Sequence, residues 1–98
     1  MITYGMSDMA ILREMGLRLR KTRLRQNLTQ EKVADLAGVT RTTISEMERG
    51  KPFEVVTLVQ VLRALRSLES IDAFLPDPGI SPLQLARMRG KERQRASS

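Results

Sequence analysis

The stretch that most constrains this chain is "LTQEKVADLAGVTRTTISEMERGK", residues 28–51. It carries two hydroxyl residues suited to begin helices, Thr29 and Thr40, and between them Gly38, free to take positive φ. Thr29 is expected to cap a short helix over 30–37, and Thr40 a second one over about 41–49, which Gly50 and Pro52 stop. Two helices joined by "GVT" alone must cross steeply and approach closely. Close approach needs a small residue on the first helix, Ala34, and an apolar anchor on the second, Ile44. Val33, Val39 and Met47 fill the other inward positions. The spacing Ala34, Gly38, Ile44 is that of a helix-turn-helix.

The second of these helices is short of apolar residues and rich in small hydrogen-bonding ones. Ile44 sits behind Thr40, Arg41, Thr42 and Thr43, with Ser45 and Glu46 following. A helix that entered a DNA major groove by its amino-terminal part would need such slim outward groups. Arg41 can donate bidentately to a guanine, and Thr42 and Thr43 can bond to a base or phosphate or offer a methyl to thymine. Ser45 and Glu46 lie one turn on, and Glu46 can accept from cytosine N4. Each good bidentate pair supplies roughly 1–3 kcal/mol of discrimination between bases.

At 98 residues the chain makes one small domain. It has no Cys and no His, which removes disulfides, thiolate metal sites and the commonest general base. With no Gly-rich phosphate loop and only scattered carboxylates, no catalytic site and no cofactor is expected. The start, "MITYGMSDMAILREMG", has neither a basic lead nor a long apolar run, so a cytoplasmic protein without a membrane span is expected. Charge is segregated. "RLRKTRLR" (18–25) and "RMRGKERQRASS" (87–98) together hold +9, leaving −3 for the rest of a chain whose total is +6. Such segregation points to an anionic partner.

No segment alternates apolar and polar residues, so the chain is read as all-α. Residues 1–7 form a flexible start, and Ser7 caps a first helix from Asp8 to Arg25 that ends at Asn27. A fourth helix, about 55–66, carries Leu58, Val61, Leu62 and Leu65 toward the core, with Val55, Val56 and Val59 widening the apolar face. A fifth covers 68–75. After the linker "PDPGI", the capping-box start "SPLQ" predicts a short helix over 82–89 and then a disordered basic tail.

Residues 15–51 resemble the Xre/Cro family of bacterial and phage repressors, through "LTQ" opening the second helix, "LAGV" at the turn, "ISEMERGK" closing the third, and Arg23 in the first. Asn27 stands where the family usually has Gly, and Glu54 where it usually has a Ser or Thr cap. The resemblance implies a compact five-helix, lambda-repressor-like domain over 8–75, binding operator DNA as a symmetric dimer and acting as a repressor. It implies phosphate contacts from Gln30, with Thr29 beside it, and from Arg49 and Lys51, and Thr40 is expected to add a phosphate contact to its cap role. It also implies a partly buried salt bridge between Arg23 and Glu48.

A dimer interface is expected at Val55, Val59, Leu68, Ile71, Phe74 and Leu75, which one monomer core cannot all cover. A two-fold axis there would set the recognition helices roughly 34 Å apart on a palindromic operator. The tail, "DAFLPDPGISPLQLARMRGKERQRASS", resembles extensions of HipB-type antitoxins, which implies a HipA-like kinase as partner. The competing class is a protein-interaction module acting mainly through that segment.

Overall fold

The computed structural model describes the backbone of residues 1–79 and 81–96, and side-chain surroundings as far as residue 90. Among the described residues six helices follow in order: α1 (Asp8–Arg25), α2 (Gln30–Ala37), α3 (Arg41–Glu48), α4 (Val55–Ala64), α5 (Glu69–Phe74) and α6 (Pro82–Ala96). No strand occurs among the described residues.

The caps expected from the sequence are made. The hydroxyls of Ser7, Thr29 and Thr40 accept from the amides of Ala10, Lys32 and Thr43. Glu54, at the start of α4, makes no side-chain cap. At the ends of α1, α3 and α4 the second residue past the cap donates back into the last turn, Leu28 to Arg23, Lys51 to Glu46 and Ser67 to Leu62, and α2 makes the matching bond from Val39 to Ala34 across Gly38. The residues that turn left-handed after α1, α3 and α4 are Asn27, Gly50 and Arg66, at φ 57°, 84° and 54°.

Two of the expected boundaries move by more than one residue. α4 stops at Ala64, short of Arg66, because Arg66 itself takes the left-handed conformation. α6 runs past Arg89 to Ala96. Its residues there, Lys, Glu, Arg and Gln, are all good helix formers, and Gly90 costs only about 1 kcal/mol in a helix interior.

α3 packs on α1 and α2, and α2 packs also on α4. The core is Leu19, Val33, Ala34, Ile44, Met47, Val61 and Leu65, with Leu28, Val39, Phe53, Leu58 and Leu62 half-buried against it. Each fully buried aliphatic side chain stabilises by about 1.5–3 kcal/mol. Gly16 allows α1 to lie directly on the end of α3. A Cβ at Gly16 would overlap the carbonyl oxygen of Met47 and stand 2.7 Å from that of Glu48. Gly50 meets α1 in the same way, since a Cβ there would lie 2.7 Å from the Cα of Arg13. A further tie closes the far end of the bundle, where Gln26 Nε2 donates to the Leu65 carbonyl at 2.7 Å.

Candidate nucleic-acid interface

α3 is two-faced because its apolar residues fall one turn apart. Ile44 and Met47 are each 2% exposed and hold the helix against α1 and α2. Arg41 and Thr42 on the other side are exposed, and Thr43, Ser45 and Glu46 are half-exposed. The five residues expected to meet base edges therefore share the solvent side of one short helix.

Their freedom differs. Thr40 and Thr43 have their hydroxyl oxygens 2.9 Å apart, and Thr40 Oγ1 also accepts from the Thr43 amide. One hydroxyl proton is spent between the pair, which leaves one for an outside acceptor such as a phosphate. Glu46 faces Lys51, with 4.0 Å from Oε1 to Nζ and both side chains about half exposed. An ion pair so long and wet is weak, so either partner can leave it for DNA. Arg49 makes one long bond, from Nε to the Ser45 carbonyl at 3.4 Å, and is otherwise exposed.

Gln30 is placed by a network. Arg23 forms a two-pronged pair with Glu48, Nε to Oε2 at 2.7 Å and Nη2 to Oε1 at 3.0 Å. Nη1 of Arg23 donates to the Leu28 carbonyl at 2.9 Å. Gln30 Nε2 then donates to Glu48 Oε1 at 3.3 Å. This chain ties the end of α1, the start of α2 and the end of α3 together. It leaves the second Nε2 proton of Gln30 for another acceptor. The pair's side chains are only 10% and 6% exposed, and every buried side-chain polar atom described has a partner. The hydrogen bond to Glu48, more than their Coulomb attraction, holds the Arg23 guanidinium above its ordinary pKa against an opposing effect of burial. Thr29 is exposed, its hydroxyl engaged in capping α2.

The apolar residues named for an interface stay largely uncovered within one chain. Val55, Phe74 and Leu75 are 74%, 75% and 76% exposed, and Leu68 is also exposed. Val59 and Ile71 are half-buried. Val56, not named among them, is exposed too.

Four features were not picked out from the sequence: the close approach at Gly16, the Gln26 tie, the left-handed Arg66 and the Gln30–Glu48 bond. Only Gly16 leaves a signal, as a lone glycine inside a helical pattern. A hollow of about 10 Å³ lies in the core beside Arg23 and Glu48, room for one water and not for a substrate. No described helix is long and apolar enough to cross a membrane.

A small helical bundle in which a short second helix turns at Gly38 into a third, anchored by one face and polar on the other, has the geometry of a helix-turn-helix. The family model for helix-turn-helix proteins matches residues 19–70, more than half of the chain. The chain belongs to this helix-turn-helix family, of the Xre/Cro type, and is a non-enzymatic DNA-binding transcription regulator. Among solved structures it is similar to the restriction-modification controller protein C.AhdI from Aeromonas hydrophila. The identity is 34% over 58% of this chain and 88% of that one, with a TM-score of 0.57. No curated protein matches the chain.

Proposed function

We propose that the protein is a repressor that binds a palindromic operator as a symmetric dimer and controls its own operon. The observation that carries this reading is the placement of Arg41 and Thr42 in solvent on a helix whose opposite face is locked into the core. Arg41, Thr42, Thr43, Ser45 and Glu46 meet base edges. Thr29, Gln30, Thr40, Arg49 and Lys51 hold the backbone. Phosphate contacts fix the register, and base contacts select the sequence.

Dimerisation is supported by the apolar surface at Val55, Phe74 and Leu75, which neither α5 nor the described side chains of α6 cover. A second copy using the same patch would bury it and set two recognition helices about one DNA turn apart.

Footprinting of the region upstream of the protein's own gene tests the proposal. Protection of two inverted half-sites with centres about 10 base pairs apart is expected. Absence of protection at protein concentrations that saturate random duplex would refute it. The neighbouring genes give the setting. A methyltransferase and an endonuclease would match the controller role named for C.AhdI. A HipA-like kinase would match the antitoxin role, which rests on the likeness of the tail alone.

A further inference from the structure

α6 lies beyond residues 19–70, the part of the chain that the family model matches, and the operator-binding reading assigns it no task. Its residues 82–90 are all exposed, so this part of the helix does not pack on the bundle. Residues 87–95 hold Arg87, Arg89, Lys91, Arg93 and Arg95 against the single carboxylate of Glu92. By the helical period, positions 87, 91 and 95 fall along one side, and 89 and 93 along another.

The apolar residues are not gathered into a docking stripe. Leu83 and Leu85 are two positions apart and so lie on nearly opposite sides of the helix. A membrane-surface helix, or one that fits a protein groove, requires a segregated apolar face, and α6 lacks one. What remains is a helix about 22 Å long at 1.5 Å per residue, with its positive charge along about 13 Å from Arg87 to Arg95, on a protein that already binds a polyanion. We propose that α6 is a second, sequence-independent DNA contact, which lays its cations along the phosphate backbone while α3 reads the bases. Tethering makes this contact intramolecular once α3 is bound, so a weak charge interaction suffices. The inference rests on the DNA-binding reading above.

The test compares the full chain with a variant carrying R87Q, R89Q, K91Q, R93Q and R95Q. The probes are a 40-base-pair duplex from upstream of the protein's own gene and a scrambled duplex of the same composition. If three of these cations each neutralise a phosphate, their removal would lower the slope of log affinity against log salt by about 3 per protomer. Between 50 and 200 mM salt the wild type would then lose roughly fortyfold more affinity per protomer than the variant. The ratio of affinities for the two duplexes should stay unchanged, since these cations carry no base information.

A second variant, carrying R87K, R89K, R93K and R95K, keeps the charge and should keep the slope. Equal slopes for the wild type and the glutamine variant would overturn the proposal. So would a collapse of the affinity ratio, or a glutamine variant that is monomeric where the wild type is dimeric by light scattering. A wild type that binds neither duplex sinks the DNA-binding reading itself, and this inference with it.

Discussion

Replacing Glu48 by Gln removes one formal charge and almost no volume from the junction of three helices. Arg23 would keep its charge, 10% exposed, facing an amide in place of a carboxylate. Breaking a buried pair by removing one partner typically costs about 3–5 kcal/mol, because the remaining charge has lost its compensation. The substituted amide retains one acceptor oxygen, which places the expected loss near the lower end, about 3 kcal/mol. For a domain of this size that is a drop in Tm of about 12–24 °C, out of a total stability of about 5–15 kcal/mol. Urea denaturation followed by circular dichroism measures it. The double variant Arg23→Met with Glu48→Leu should recover most of the loss, since it removes both buried charges together. The Leu28 carbonyl, which then lacks its donor, should keep that variant about 1 kcal/mol below wild type. A loss under about 1 kcal/mol for Glu48→Gln would mean that the pair is not buried as described, because a cost that small is typical of a pair screened by water.

The same pair sets a pH expectation. Arg23 has its pKa raised in the folded chain, so its contribution is complete below the ordinary arginine range and is lost only as pH rises through the folded value. Denaturation between pH 6 and pH 9 should therefore reveal no titration attributable to Arg23. Gly16→Ala should be among the most damaging single-methyl additions in the chain, since the atoms it meets are backbone carbonyls of α3 that cannot rotate away. A cost of about 1–3 kcal/mol in the same urea assay is expected. Arg66→Gly should stabilise by up to about 1 kcal/mol by relieving a left-handed non-glycine residue, and a destabilised variant would contradict the account of how α4 ends. Lys51→Ala should weaken binding to all duplexes alike and lower the salt slope by about 1 per protomer in a fluorescence-anisotropy titration.

The parts of the fold written in short-range chemistry were legible from the residues. Ser7, Thr29 and Thr40 cap where a hydroxyl precedes an apolar-periodic run, and Asn27, Gly38 and Gly50 turn where the chain needs positive φ. Arg66 makes the same turn with a side chain that carries no such preference, so the end of α4 was not legible. Gly16 and Gln26 act across elements distant in sequence, on the carbonyls of Met47, Glu48 and Leu65; a lone glycine in a helical pattern marks Gly16, but no local pattern names the partner of either.

The candidate site divides in the same way. Which residues of α3 turn outward follows from the positions of Ile44 and Met47. The Thr40–Thr43 hydroxyl pair, the Glu46–Lys51 pairing and the hold of Glu48 on Gln30 depend on rotamers and neighbours, and only the three-dimensional arrangement exhibits them.

If the solvent face of α3 reads base edges, wild type and an Arg41→Ala variant must differ in the sites that they select from a random duplex library. Wild type should enrich two inverted half-sites, and Arg41→Ala should enrich the same sites with preference erased at one position in each half, a loss of about 1–3 kcal/mol there. Identical selected sites for both proteins would contradict the account.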